Sequence, residues 1–282
     1  MKYIKILIIS MLVLSLTGCD NSTKTSDKLQ ISVAIEPLRY FADRIFEDTV
    51  EVTTMIPQNA SPENYEITTK QMMEFTDSDI YFSLNLPSET NSILEVVGEN
   101  TEVVDLQEIV SEDLEILKLG ESYDPHIWMS ISRSKAIINT MLEEVIDLNS
   151  DNEDLYRNNA KILLAELDSL NNEINDSLKD VTNRYFIVYH PSLQYFANEY
   201  NLEMVSIELE GKEASANRIV EIIDFAKENN IKVVFYQAEI DSSQAESKAY
   251  EIGGQTVMVN PLAYDYLENY KNMSELIKDN MK

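Results

Sequence analysis

Short apolar runs punctuate the chain, separated by stretches with helical spacing. Ile31–Ile35, Val50–Ile56, Asp79–Phe82 and Glu102–Val104 come first, and Tyr185–Tyr189, Met204–Glu208, Lys232–Tyr236 and Thr256–Val259 follow a long interval. None alternates strictly between apolar and polar residues, the pattern of strands buried on both faces of a parallel sheet. Between them, segments such as Pro37–Phe46 and Ala216–Glu228 have the length and spacing of helices. Strand–helix alternation of this kind predicts an α/β fold in two lobes, each with a parallel sheet flanked by helices.

The long interval reads differently. No strand pattern occurs from Ser134 to Leu178, while Leu163, Leu167, Leu170, Ile174 and Leu178 mark one apolar helical face. Asn152 or Asp151 is placed to cap the start of this helix, and Asn183 lies just past its end. A helix of about 25 residues spans roughly 40 Å, enough to run along both lobes and join them. A coiled coil would need sustained heptads rather than one short seam. The expected division is a signal peptide over 1–18, a tether over 19–29, an N-terminal α/β lobe over 30–133, a linking helical region over 134–182 and a C-terminal α/β lobe over 183–282.

The first residues carry targeting signals. Lys2 and Lys5 precede an apolar run from Ile6 to Leu16, too short for a confident membrane span and suited to a signal h-region. Leu16-Thr17-Gly18-Cys19 resembles a bacterial lipobox, which implies cleavage before Cys19 and lipidation of its thiol. Cys19 is the only cysteine, so no internal disulfide can form. The polar segment that follows it reads as a flexible tether. The expected product is an extracytoplasmic domain, lipid-anchored to the cell membrane at the cell surface or periplasmic face.

Charge narrows the partners. With 22 basic and 50 acidic residues the formal charge is −28, and removal of Lys2 and Lys5 leaves −30. Phosphate recognition needs clusters of Lys and Arg, so nucleic acid is excluded as a partner. An acidic field favours cations in a cleft, although most of these carboxylates read as solvated surface.

The candidate chemistry centres on two histidines, each beside a proline: Asp124-Pro125-His126-Ile127-Trp128 and Tyr189-His190-Pro191. Histidine is the commonest metal ligand among side chains. In open α/β sheets, ligands bind beyond the carboxyl ends of the strands. Glu63, His190, Glu208, Glu210, Gln237 and Asn260 all fall at or just beyond the ends of predicted strands, and His126 sits in a proline-stiffened loop. Two ligands from each lobe would close a four-coordinate site, which suits zinc. Taken singly, each histidine is more often a satisfied structural residue than a ligand.

Taken together, these segments resemble the metal-binding lipoproteins of bacterial ABC importers for zinc and manganese, the cluster A-I solute-binding proteins of zinc-uptake and adhesin type. Asp124-Pro125-His126-Ile127-Trp128 is similar to the family's DPH-x-W motif. Tyr189-His190-Pro191 with Tyr195-Phe196 and Tyr200 is similar to its third-ligand segment. Ser61-Pro62-Glu63-Asn64-Tyr65-Glu66 resembles the first-ligand loop, with Glu63 in place of the family's histidine. Ile207 to Glu213 resembles a segment lining the C-terminal lobe, and Asn260-Pro261-Leu262 falls where the family has Asp-Pro-Leu. The resemblance runs from about Ile31 to Met281. The histidine-rich loop of zinc members is absent from Leu119–Tyr123.

The resemblance implies a metal site of Glu63, His126, His190 and Asn260. Asp124 is placed to accept the other ring N–H of a histidine and so orient it, and Glu210 or Asp241 can take the fourth place, because a neutral Asn oxygen is a poor zinc ligand. It implies weaker affinity than an acidic residue at 260 would give. Two imidazoles favour Zn2+ over Mn2+, so zinc is the first expectation and manganese the alternative. Trp128 and Tyr195 read as packing residues around the cleft. The implied role is capture of the ion and its delivery to an ABC permease, by a monomer. No HExxH, GxSxG or phosphate-binding glycine loop argues for an enzyme. A surface adhesin or interaction protein with a degenerate metal site is the competing class.

Overall fold

The structure is a computed structural model that describes residues 28–208, 214–240 and 242–281. The signal peptide, Cys19 and most of the tether, together with Glu210 and Asp241, lie outside the described residues.

The N-terminal lobe is built on β1 (Leu29–Ile35), α1 (Glu36–Phe46), β2 (Val50–Ile56), α2 (Thr69–Thr76), β3 (Ile80–Ser83), β4 (Glu102–Asp105) and α3 (Leu106–Asp113). Its four strands pair in parallel in the order β2-β1-β3-β4. Pro37 in the first turn of α1 suits a position whose N–H has no helical partner. A two-stranded hairpin, β5 (Lys118–Leu119) and β6 (Ser122–Tyr123), follows. Gly120 turns it at φ 62°, a region that glycine enters without a Cβ clash.

Two helices then fill the expected linking region: α4 (Ile131–Leu148) and α5 (Glu153–Leu178). The Ser130 side chain caps α4 by accepting the Arg133 N–H. Asn152 stands at the N-cap of α5 without a side-chain capping bond. Leu163, Leu167, Leu170, Ile174 and Leu178 of α5 are all buried.

The C-terminal lobe comprises β7 (Tyr185–Val188), α6 (Gln194–Glu199), β8 (Glu203–Ser206), α7 (Ala216–Glu228), β9 (Val233–Gln237), α8 (Ser242–Glu251), β10 (Gln255–Val259) and α9 (Tyr266–Asp279). Its parallel sheet has the order β10-β9-β7-β8. Phe186, Val188, Val233 and Phe235 join the main core, whereas Ile187, Tyr189 and Val234 join a second core with Ile222 and Ala226 of α7 and Ala245 of α8. Both faces are covered, which is why the hydropathy of these strands does not alternate.

The helix α5 packs against α1, α4 and α9, so one rod touches both lobes. Arg44 of α1 pairs with Glu166 at 2.7 Å, and Lys271 of α9 with Glu173 at 2.6 Å. The last helix also returns to the N-terminal half. Tyr266 Oη donates to the Trp128 carbonyl at 2.8 Å, and Tyr270 Oη to that of Met129 at 3.1 Å.

Candidate metal centre

Each ligand candidate sits on a loop tied down by its neighbours. The Ser61–Glu66 loop follows β2 and turns through Tyr65 N–H to the Ser61 carbonyl at 3.1 Å. Ser88 anchors it from outside, donating its hydroxyl to the Pro62 carbonyl at 2.6 Å and accepting the Tyr65 N–H at 2.8 Å. Glu63 projects from this turn. His126 follows the hairpin, where the buried Asp124 Oδ1 accepts both the His126 N–H at 3.0 Å and a proton on Nδ1 at 2.6 Å. Tyr195 fixes the same loop, donating to the Asp124 carbonyl at 2.9 Å and accepting the Leu117 N–H at 3.1 Å. His190 leaves the end of β7 directly. Its Nδ1 faces Glu208 Oε2 at 3.1 Å. Although β8 ends at Ser206, Ile207 and Glu208 keep backbone bonds to Val188 and Tyr189, and these hold Glu208 beside the ring.

These loops bring Glu63, His126 and His190 together. One ligand atom from each lies within 4.8 Å of the others. The two imidazole centroids are 5.4 Å apart, and His190 Nε2 is 3.4 Å from Glu63 Oε1. Both rings have a carboxylate on Nδ1, which leaves Nε2 of each available to coordinate an ion. That is the arrangement in which a second carboxylate orients a metal-binding imidazole and raises its basicity. The three residues face a cavity of about 170 Å³, lined also by Trp128, Ser192, Glu208, Gln237 and Glu239. Trp128 ties this wall together, its Nε1 donating to the Pro261 carbonyl at 2.9 Å across the lobes.

Charge in the cavity is finely opposed. Burial pushes the His190 imidazolium down, but the hydrogen bonds and charges of Glu208 and Glu63 outweigh it and hold the ring at about 9. Burial pushes Glu63 up, and the His190 bond with the charges of both histidines brings it below the usual carboxylate range. Glu239 has no such close partner, and desolvation raises it to about 7. The carboxylates of Glu208 and Glu63 on either side of the His190 ring thus favour its charged form.

Asn260 is engaged locally. It follows the edge strand β10, with Oδ1 accepting the Leu262 N–H at 3.2 Å and its carbonyl accepting from Asn269 Nδ2 at 2.7 Å. Its neighbours Pro261 and Leu262, rather than Asn260, line the cavity. Glu239 is the cavity residue that sequence reasoning passed over. Its signal was position alone, two residues beyond β9, and that signal carries weight only when the strand order is known.

Two α/β lobes closing on two oriented imidazoles and a carboxylate have the construction of a solute-binding protein for a divalent metal ion. Residues 31–280 match the family described as ZnuA, zinc-uptake complex component A periplasmic, and the chain belongs to that family. It is 27% identical to the high-affinity zinc uptake system protein ZnuA of Bacillus subtilis, over 99% of this chain and 98% of that protein. It is 24% identical to the zinc-binding lipoprotein AdcA of Streptococcus pneumoniae, over 93% of this chain but only 56% of that longer protein. A crystal structure of ZnuA superposes with a TM-score of 0.84 at 34% identity, covering 91% of this chain and all (100%) of that one. The family's members are transporter binding components, and the chain is a binding protein rather than an enzyme.

Proposed function

We propose that this chain captures one zinc ion outside the cytoplasm through Glu63, His126 and His190 and delivers it to the permease of an ABC importer. The observation that carries the reading is the pair of buried imidazoles, each held at Nδ1 by a carboxylate, that converge with Glu63 within 4.8 Å. Zinc accepts this mixture of nitrogen and oxygen donors, and imidazole binds it more strongly than it binds manganese. The names of the Bacillus subtilis and Streptococcus pneumoniae relatives, zinc uptake and zinc binding, support the same cargo. Manganese is the competing cargo, because Glu208 and Glu239 add carboxylates to the cavity wall.

The same proposal includes a lipid anchor at Cys19, a monomeric state, and the division into lobes 30–133 and 183–282 joined by 134–182. No helix among the described residues is long and apolar enough to cross a membrane. Attachment through Cys19 would keep the capture site beside the permease. Elemental analysis of the full chain, after dialysis against zinc and manganese together, tests the reading. About one zinc per chain is expected, lost in the His126→Ala/His190→Ala double variant. Uptake that survives in the double variant, or none in the parent, would refute it.

A further inference from the structure

We propose that Glu239 supplies the fourth ligand to the captured cation, completing the set of Glu63, His126 and His190. The inference rests on the capture reading above and names the donor that reading leaves out. Three ligands leave a tetrahedral ion one donor short. Most polar groups in the cavity are already engaged. Glu208 bonds His190 Nδ1, the Ser192 hydroxyl accepts from Gln237 Nε2 at 2.6 Å, and Trp128 Nε1 donates to Pro261. Among the described residues of the cavity wall, two side-chain oxygens are shielded from solvent and have no hydrogen-bond partner: Gln237 Oε1 and Glu239 Oε2. Of these, a carboxylate binds zinc better than a neutral amide oxygen.

Topology singles out the same residue. In the order β10-β9-β7-β8 the chain passes from β7 to β8 on one side and then to β9 on the other. The crevice between β7 and β9 is therefore the switch point at which open α/β sheets bind ligands. His190 leaves the end of β7, and Glu239 lies just beyond the end of β9. Asn260 follows β10, one strand farther out, with its side-chain oxygen committed to the Leu262 N–H. Charge agrees as well. Glu63 alone leaves a divalent ion with two neutral imidazoles at +1, whereas Glu63 and Glu239 together neutralise it. A shielded carboxylate oxygen without a partner is costly, and a cation would relieve that cost. The ligand atoms already within 4.8 Å are those of the other three residues, so Glu239 joins them by rotating its side chain when the ion enters.

The test is zinc and cobalt(II) titration of the full chain, with cobalt absorption in the visible reporting the ligand field. Glu239→Gln is expected to weaken zinc by about tenfold or more, the loss seen when even an outer partner of a metal ligand is removed, and to alter the cobalt bands. Asn260→Asp is expected to leave the affinity within about threefold, because the side-chain oxygen of residue 260 is engaged by the Leu262 N–H and the residue does not line the cavity. Glu239→Asp keeps the charge but withdraws the oxygen, and gives the same change of cobalt spectrum should the Gln variant fold poorly. If Glu239→Gln and Glu239→Asp bind as the parent does while the His126→Ala/His190→Ala variant binds nothing, the fourth-ligand inference falls and the three-ligand site stands. Loss of affinity in Glu210→Gln with none in Glu239→Gln would likewise overturn it. Absence of uptake by the parent would overturn both readings.

Discussion

Zinc binding is expected to expel a proton from His190. In the metal-free protein its ring lies between Glu208 at 3.1 Å and Glu63 at 3.4 Å, and these carboxylates hold it at about 9. An imidazolium donates from both nitrogens and has no lone pair for a metal, so zinc must displace the Nε2 proton. The folded value lies above the ordinary 6.5, so the charged ring persists as pH rises and is lost only near 9. At pH 7 the ratio of charged to neutral ring is about a hundred, a handicap of about 3 kcal/mol on the apparent affinity. The apparent zinc affinity should therefore rise about tenfold between pH 7 and pH 8, and level off above 9. Glu239, raised to about 7, adds a second dependence of the same slope below that pH. Competition against a chromophoric chelator, corrected for the chelator's own protonation, measures the slope. Calorimetry at pH 8 in buffers of different ionisation enthalpy counts the proton, and about one should be released per zinc. Affinity unchanged from pH 7 to pH 9, with no proton released, would refute the coupling and the placement of His190 between two carboxylates.

Two substitutions probe the supporting shell. Asp124→Asn keeps the shape of the buried side chain but removes the charge that orients His126 through Nδ1 at 2.6 Å. Zinc affinity should fall by about 10–100-fold with the far-ultraviolet dichroism unchanged; an unaltered dissociation constant would contradict that role. Trp128→Phe deletes the 2.9 Å bond from Nε1 to Pro261 and leaves that buried carbonyl unpaired. Stability to urea should fall by about 1–3 kcal/mol, and a midpoint that does not move would show that this inter-lobe bond contributes nothing.

Much of this architecture can be read from the chain because burial leaves a mark on hydropathy. Val50–Ile56 reads as a strand and forms one, and the Leu163–Leu178 stripe reads as a helical face and is buried. The sheet order leaves no such mark. Nothing in Val233–Gln237 says that it lies beside Tyr185–Val188, and for that reason Glu239 passes unnoticed while Asn260, in a familiar motif, draws attention. The hairpin at Lys118–Tyr123 is too short for a periodic signal. Glu208 is visible as a carboxylate after a strand, but its engagement of His190 Nδ1 depends on β7 and β8 being neighbours. Local pattern thus carries the elements and the two histidines, while the pairing that turns them into a site is a long-range property.

The most direct test of the central claim is anomalous diffraction at the zinc absorption edge from crystals of the zinc-loaded protein. The account predicts one strong peak in the inter-lobe cavity, bonded to Nε2 of both His126 and His190 at about 2.0–2.1 Å and to a Glu63 oxygen at about 2.0–2.2 Å. A peak bonded to Nδ1 of either ring, or one confined to the acidic surface with the cavity empty, would contradict it.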